Sequence, residues 1–212
     1  MDYRMPLRSA EPLDSQWDGR LYEFVDYVVE KVEEAWEWDN PTVASHLTAT
    51  LTPSQLALWA VLNANGQICN GGFSQFFFNS YGELAEEALQ GFRLLRMEAY
   101  AEILEQAYAM FQYRPIPKDR EQRIGALADM ADAIDAGVEE CADDEEIDFY
   151  CSLAQTLGPQ WDELESRYYA LIHREGVSGG YNAAFYRPLV DFIEMHQVDF
   201  FCRSLAETTS ER

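Results

Sequence analysis

The amino-acid sequence predicts an all-α protein, a compact multi-helix domain of roughly seven to nine helices. Apolar residues recur every three or four positions along most of the chain, as expected for helices with one buried face. Prolines and glycines interrupt these stripes where helices should begin or end. No segment alternates apolar and polar residues like a half-buried strand. We therefore expect a single all-helical domain over residues 19–212, preceded by an N-terminal arm at residues 1–18.

Two helices are predicted before the paired glycines at 71 and 72. The first is acidic along one side, and its apolar side is formed by Leu21, Phe24, Val25, Val28, Val32, Ala35 and Trp36. The second should begin at Thr52, because this capping residue is followed by Pro53, which suits the first helical turn.

Two more helices are predicted in the middle of the chain. Residues 83–111 are rich in helix-forming residues and should contain two helices that meet between Arg96 and Glu98. The segment "RPIPKD" at 114–119 should end this region, because two prolines one residue apart cannot continue a helix.

The C-terminal part predicts a further series of helices. One carries an apolar stripe formed by Ile124, Leu127, Ala131, Ile134 and Val138. The next starts with the acids of "DDEEIDFYCSLAQTL", which favour a helix N-terminus. A separate helix should cover "PQWDELESRYYALIHREG" and close at Gly176, and a last apolar pattern runs from Tyr186 to Phe201.

The charge balance excludes several classes of partner. Thirty-eight acidic residues against 15 basic ones give a formal net charge of -23 at pH 7 and a pI near 4.3. Proteins bind nucleic acids and anionic membranes by neutralising phosphate groups with Lys and Arg, which this chain lacks in number. We expect no direct nucleic-acid partner and no membrane partner, but a basic protein.

The absence of targeting, membrane-span and metal-ligand patterns in the sequence predicts the location of the protein and its use of cofactors. No apolar run is long enough for a signal peptide or for the ~20 residues of a membrane span, so a cytoplasmic protein is expected. Four cysteines, expected to be reduced and mostly buried, lack a disulfide or metal-ligand spacing: Cys69, Cys141, Cys151 and Cys202. His46, His173 and His196 also lack a metal-ligand spacing. No metal site and no cofactor are therefore predicted.

The least ordinary stretch is "ICNGGFSQFFFNS", residues 68–80. If it is helical after the glycines, Phe73, Phe76 and Phe77 share one buried face. One glycine should end the preceding helix in a left-handed conformation. The residues to which we assign a structural role at this corner are Asn70, Gly71, Gly72, Phe73, Gln75, Phe77 and Asn79.

An alternative function for this corner is a small-ligand or hydrolase site. Three amides, Asn70, Gln75 and Asn79, surround the glycine turn and could contact a ligand. No charged group, histidine or suitable thiol accompanies them in the sequence, and amides alone are weak catalysts. The glycines also match neither common phosphate-binding pattern. We therefore expect a non-enzymatic, structural corner.

The segment "NGGFSQFFFNSYG" resembles the Asn-Gly-Gly-Phe-x-Gln-aromatic-Phe-x-Asn signature of a bacterial domain-of-unknown-function family that contains a neisserial DNA-mimic protein. "EALQGFRLLRMEAYAEILEQAYAMF" is similar to the family's next segment, and "WDELESRYYALI" to its later helix. The resemblance extends from about Leu51 to Phe200. It implies an all-helical fold, no cofactor and no known catalytic residues. For the mimic, it implies an acidic surface that occupies the DNA-binding face of a transcription factor.

Residues 129–148 contain the densest acidic run and no Lys or Arg. Five of these carboxylates would span roughly 18 Å of helix axis, about one per 3.6 Å, close to the ~3.4 Å spacing of phosphates along one DNA strand. The run does not fit a calcium-binding loop. Solvated helix faces and N-terminal caps are the simpler interpretation of these acids.

We predict a non-enzymatic acidic interaction protein, a DNA mimic that occupies the basic surface of a transcription factor or nuclease. The alternative within this class is an immunity-type inhibitor of a nuclease toxin, and a homodimer is compatible with either. The predicted partner-binding residues are Asp129, Asp132, Asp135, Glu139, Glu140, Asp143 and Asp144. A second candidate face comprises Glu30, Glu33, Glu34 and Glu37.

Overall fold

The computed structural model describes an all-α protein, as the apolar periodicity predicts. The described residues are 5–6, 21, 24–29, 43–111, 114–134, 146–172 and 183–202. In chain order the helices are α1 (24–29), α2 (Val43–Thr50), α3 (Pro53–Phe78), α4 (Ala85–Leu94), α5 (Glu98–Ala109), α6 (Arg120–Ile134), α7 (Glu146–Ile172), α8 (Ala183–Met195) and α9 (Gln197–Phe200). A 3-10 turn, Ser80–Leu84, joins α3 to α4.

Part of the predicted N-terminal arm pairs with the other end of the described chain. Strand β1 (Met5–Pro6) lies parallel to β2 (Phe201–Cys202), with Met5 opposite Phe201. The sequence did not predict a strand, because two residues are too few to produce an alternating pattern. The apolar side of the first predicted helix is confirmed where it is described, since Leu21, Phe24 and Val28 are buried.

Helix α3 begins at the predicted cap and is tied to α9. The Thr52 side chain accepts a hydrogen bond from the Gln55 backbone N–H, and the Gln55 side chain accepts one from the Thr52 backbone. The Thr52 hydroxyl also donates to the Asp199 carbonyl at 3.2 Å. Ser54 Oγ donates to Asp199 Oδ2 at 2.7 Å, so the first turn of α3 holds α9 in place.

The junction between α4 and α5 lies where the sequence predicts it. Leu95–Met97 separate the two helices, and Arg96 has a φ of 58°. The C-terminal end of α5 was predicted less well, because the helix ends at Ala109 and not at the "RPIPKD" prolines. The first turn of α6 is capped by Asp119, whose carboxylate accepts the Gln122 backbone N–H at 2.9 Å.

Helix α7 corrects the prediction of two separate helices. It continues through Pro159, although proline removes one backbone donor and disfavours the preceding turn. Leu157 and Trp161, on either side of the proline, are both buried. Packing of this apolar face therefore outweighs the local preference for a break. Gly176, the predicted end of the second helix, lies outside the described residues.

The core is organised around α3, which packs against α4, α6, α7 and α9. Its centre is aromatic, and ring pairs link different helices. The Phe77 ring lies 4.7 Å from Phe111 and 5.5 Å from Tyr108 between centroids. The Tyr108 hydroxyl donates to the Ala85 carbonyl, which satisfies a polar group inside the core.

Candidate functional site

Helix α3 bends sharply at the paired glycines. Gly72 has φ 73° and ψ -171°, and Gly71 has φ -155° and ψ 29°, both outside the helical region. The positive φ confirms the predicted glycine conformation, but helical structure resumes immediately at Phe73. A Cβ on Gly72 would overlap the Glu165 carboxylate, and one on Gly71 would overlap the Gln75 side chain. The positive φ favours glycine at position 72, and at both positions a Cβ would force a neighbouring side chain to move.

A carboxylate from α7 lies against the bend. Glu165 Oε1 accepts the Phe73 backbone N–H at 2.8 Å, which satisfies a donor at the start of the resumed helix. Partial burial raises the pKa of Glu165, the hydrogen bond from Phe73 opposes that shift, and nearby Asp162 adds to it. The sequence next to the amides contains no charged group, and the structure brings Glu165 to the bend from another helix. Glu165 comes from a distant helix, so the local sequence gave no sign of it.

A second charged residue lies at the other end of residues 73–78. Arg123 of α6 is fully buried and donates to four backbone carbonyls, those of Phe77 at 2.6 Å, Asn79 at 2.8 Å, Pro117 at 2.9 Å and Lys118 at 2.9 Å. Burial lowers the pKa of Arg123 to about 10, with Glu83 opposing the shift, so the guanidinium stays charged at neutral pH. Arg123 thus occupies the carbonyls that a helix end leaves unpaired.

Arg120 adds a second cation at the same end. Its Nε donates to the Phe78 carbonyl at 3.0 Å, and its guanidinium lies 4.8 Å from the Phe78 ring centroid. Residues 73–78 therefore have a carboxylate at their N-terminal end and two guanidinium groups at their C-terminal end. A negative charge at the N-terminal end and positive charges at the C-terminal end are both favourable for the helix dipole. The carboxylate belongs to α7, and the two guanidinium groups belong to α6.

The amides at the bend contact one another. Gln67 Oε1 accepts from Gln75 Nε2 at 3.0 Å and from Asn79 Nδ2 at 2.7 Å. Asn70 Nδ2 donates to Gln75 Oε1 at 3.1 Å. Asn70, Gln75 and Asn79 therefore lie together as predicted. Gln67 was missed, although its position one turn before Asn70 on the same helix was a usable signal.

The buried side of the bend is filled by aromatic side chains. Phe73 packs against Trp161 at 5.5 Å and against Tyr168 at 5.9 Å between ring centroids, and Phe77 lies 5.6 Å from Trp161. Tyr169 donates its hydroxyl to the Ile68 carbonyl at 2.8 Å. The glycine-phenylalanine segment and the "WDELESRYYALI" segment, which both carry the resemblance, thus form one packed unit. This packing favours a structural role for the corner over a ligand pocket.

Cys69 lies two residues before Gly71 in the sequence. It is exposed, and its Sγ donates to Asn65 Oδ1 at 3.6 Å. Desolvation raises the pKa of this thiol, so the nucleophilic thiolate is disfavoured at neutral pH. The side chains of Cys141, Cys151 and Cys202 lie outside the described residues.

The predicted partner-binding acids are described only in part. Asp129 is exposed on α6, whereas Leu127 of the predicted stripe is buried, as is Met130. Asp132 lies in α6, but its side chain is outside the described part. The other acids of both faces lie outside the described residues: Asp135, Glu139, Glu140, Asp143, Asp144, Glu30, Glu33, Glu34 and Glu37. For them the partner-binding role stays a prediction.

Further exposed acids, for which no role was predicted, lie on α5 and on α7. Glu98, Glu102 and Glu105 are exposed at i, i+4 and i+7 of α5, opposite the buried Tyr100 and Leu104. This regular spacing was a signal that could have been used. Helix α7, which packs against α5, exposes Asp162 and Glu163.

Some of the described carboxylates are paired with basic residues. These ion pairs include Arg93–Glu105 at 2.8 Å, Lys118–Glu87 at 2.5 Å and Arg187–Asp191 at 2.8 Å. Arg167 Nη1 donates to an amide, Gln106 Oε1, at 2.7 Å. With 38 acidic residues against 15 basic ones, most carboxylates of the chain have no basic residue to pair with one to one.

The described residues contain no group of three or more His, Cys, Asp or Glu placed to hold a metal ion. His196 Nδ1 lies 3.5 Å from Asp199 Oδ2, and the His196 ring packs on Phe192 at 4.3 Å between centroids, so it has a packing role. Across the same residues, no helix is both long and apolar enough to cross a membrane.

Comparison with known proteins identifies one family. The model for DMP19-like proteins matches residues 49–189, well over half of the chain. This range contains the glycine bend, α4 to α7 and the acidic run. No curated protein and no solved structure matches the chain.

Proposed function

Because the chain belongs to the DMP19-like protein family, we propose that it acts as a DNA mimic, presenting ordered carboxylates to the basic face of a DNA-binding protein. The partner would be a transcription factor or a nuclease whose Lys and Arg side chains normally contact phosphate. The net charge of -23 supports this role, because such a field attracts cationic surfaces over long distances.

The observation that carries the proposal is the placement of the acidic run between two firmly held helices. Residues 129–148 begin within α6 and end within α7. Arg123 fixes α6 to one end of residues 73–78, and Glu165 fixes α7 to the other. In this proposal the glycine bend acts as a support for α6 and α7, and the acids between them contact the partner.

Binding would proceed by attraction and then by close pairing. The net negative field of the chain speeds diffusional encounter, and charge-assisted hydrogen bonds from Arg and Lys to the carboxylates follow. Both steps weaken as salt rises, because the Debye length falls to ~3 Å at about 1 M ionic strength.

Capture from a lysate with DNA as competitor tests the proposal. Immobilised protein should retain a basic DNA-binding protein, and duplex DNA should release it. Neutralisation of the run by Asp129→Asn, Asp132→Asn, Asp135→Asn, Glu139→Gln and Glu140→Gln should weaken capture about tenfold or more. A captured protein that duplex DNA does not displace would argue against mimicry.

The matched control removes the same number of charges elsewhere. The five substitutions are Glu98→Gln, Glu102→Gln, Glu121→Gln, Asp162→Asn and Glu163→Gln, all at exposed positions in the described part. Both sets leave the same net charge, so a difference between them reports the position of the acids and not their total. Equal loss from both sets would mean that the field acts without an ordered site.

A nuclease toxin as the captured protein would favour the immunity-type alternative. Co-expression decides between the two roles, because an immunity protein rescues cells from the toxin. The carboxylates would then contact residues near the nuclease active site.

A further inference from the structure

Helix α3 carries two Asn-Gly pairs before and at its bend. Asn65 is followed by Gly66, and Asn70 is followed by Gly71. In such a pair the backbone nitrogen of the glycine can attack the side-chain carbonyl carbon of the asparagine, because glycine has no Cβ to shield its nitrogen. The two pairs have the same chemistry, so a difference between their reactivities must come from the fold.

The attack requires the backbone of the pair to leave the helical conformation. In a helix, the nitrogen that follows the asparagine is held in the i to i−4 hydrogen-bonding pattern and lies out of line with the side-chain carbon. The rate is therefore set by how often the helix opens at the pair. Helix ends fray and open at a lower free energy than helix interiors.

The first pair is protected in two ways. Asn65 and Gly66 lie within the regular part of α3, a full turn before the bend. Asn65 Oδ1 also accepts hydrogen bonds from the Tyr168 hydroxyl at 3.1 Å and from Cys69 Sγ at 3.6 Å. Because Tyr168 of α7 is fully buried, the Asn65 side chain is tied to the core.

The second pair lies at the place where the helix is interrupted. Asn70 is the last residue with helical backbone angles before the bend, since Gly71 and Gly72 both depart from them. Asn70 is exposed, and its Nδ2 donates to the Gln75 side chain at 3.1 Å. Cys69 beside it is exposed as well, so local opening here uncovers little apolar surface.

We propose that Asn70 is a site of spontaneous deamidation, whereas Asn65 of the same helix is protected by the fold. The Gly71 nitrogen loses its proton and forms a bond to Asn70 Cγ, the bond from Cγ to Nδ2 breaks, and ammonia leaves. Water then opens the cyclic imide at either carbonyl and gives aspartate or isoaspartate at position 70. The net reaction consumes one water and releases one ammonia.

The isoaspartyl product should alter the bend. Its main chain runs through the former side chain, which inserts one methylene group immediately before Gly71. The φ of 73° at Gly72 and the hydrogen bond from Phe73 to Glu165 both depend on the path of this backbone. Deamidation should therefore loosen the contact between α3 and α7 as the molecule ages. No residue of the acidic run takes part, so the inference is independent of the DNA-mimic role.

Ageing of the intact protein in mildly alkaline buffer tests the site. Chymotryptic cleavage after Leu62 and Phe73 releases a peptide that contains both pairs, and tandem mass spectrometry assigns the converted residue. The same ageing in urea is the reference, because unfolding removes the protection of both pairs.

In the folded protein we expect Asn70 to convert about tenfold faster than Asn65, because the end of a helix segment opens more often than its interior. In urea the two residues should convert at similar rates. Equal rates in the folded protein, faster conversion of Asn65, or conversion of Asn70 only in urea would each overturn the proposal.

The effect on the bend is measured with Asn70→Ser, which removes the reacting amide at an exposed position. Aged wild type should unfold about 2–4 °C below fresh protein, whereas Asn70→Ser should keep its thermal midpoint on ageing. Asn63→Ser is the matched control, because Asn63 precedes an alanine in the same helix, and this variant should age like wild type. Equal losses in aged wild type and aged Asn70→Ser would reject the loosening of the bend.

Discussion

Glu165 of α7 accepts a 2.8 Å hydrogen bond from the backbone N–H of Phe73, the first residue after the bend in α3. The two residues are 92 positions apart in the chain. The contact joins the glycine bend to the helix that packs on its aromatic side. It explains why a carboxylate is tolerated beside a largely apolar interface, because its oxygen satisfies an otherwise unpaired backbone donor.

Replacement of Glu165 should separate its hydrogen bond from its charge. We expect Glu165→Ala to lower the free energy of unfolding by about 1–3 kcal/mol, because it removes the acceptor for Phe73. Glu165→Gln keeps an acceptor oxygen and should cost less than about 1 kcal/mol. Urea unfolding of both variants measures the difference, and equal losses would show that the charge matters more than the hydrogen bond.

The same residue predicts a pH dependence. The raised pKa of Glu165 means that the folded state holds this proton more tightly than the unfolded state. The stability that protonation contributes is fully present below the unfolded pKa and is lost as pH rises through the raised folded pKa. The wild type should therefore lose stability relative to Glu165→Gln across that interval. A constant difference between the two proteins over this pH range would contradict the prediction.

Glycine 72 offers a sharp test of the bend. We expect Gly72→Ala to destabilise the fold by about 2–4 kcal/mol, because its positive φ is unfavourable for alanine and the new methyl group would overlap Glu165. Gly66→Ala is the control, since that helical glycine has open space around its Cα and should gain about 0.5–1 kcal/mol. Thermal unfolding of both variants gives the comparison, and similar effects would refute the strained geometry.

Arg123 should be among the most sensitive positions. We expect Arg123→Met to cost about 3–5 kcal/mol, because four carbonyls lose their donor and some stay buried. Arg123→Lys should recover little of this stability, since one ammonium group cannot reproduce the planar array of donors of the guanidinium. The control is Arg167→Met, which loses a contact to Gln106 at the surface and should cost under about 1 kcal/mol. Full rescue by lysine would show that charge alone suffices.

Repulsion among the carboxylates predicts that salt stabilises the protein. With a formal net charge of -23, screening at about 0.1 M salt and above should raise the thermal midpoint. Each kcal/mol of repulsion removed corresponds to about 2–4 °C for a chain of this size. Calorimetry at increasing sodium chloride concentration measures the thermal midpoint. The midpoint should rise less in the control variant of the capture experiment, which neutralises Glu98, Glu102, Glu121, Asp162 and Glu163, than in wild type. An unchanged midpoint would mean that the charges are already balanced.

Local signals in the sequence predicted the helices well. The Thr52 cap, the buried face of Phe73 and Phe77, and the α4–α5 junction all depend on residues a few positions apart. Such contacts leave a periodic pattern, so they can be inferred without a structure. The continuity of α7 through Pro159 could not be inferred this way, because it depends on packing by other helices.

Only those residues of the candidate site that lie close together in the sequence could be predicted. The glycines and amides of the bend stand together in the sequence, but Glu165 and Arg123 reach them from helices 92 and 46 positions away. Carboxylates and guanidinium groups usually indicate solvated surface, so no pattern marked these two as interior. Their roles emerge only when α6, α7 and the bend are packed together.

The chain between Ile134 and Glu146 joins two helices that are fixed to residues 73–78 from opposite ends, α6 through Arg123 and α7 through Glu165. The two contacts therefore anchor the chain on both sides of this stretch. Loss of either anchor should change binding of the proposed partner, even though it removes no carboxylate of the acidic run.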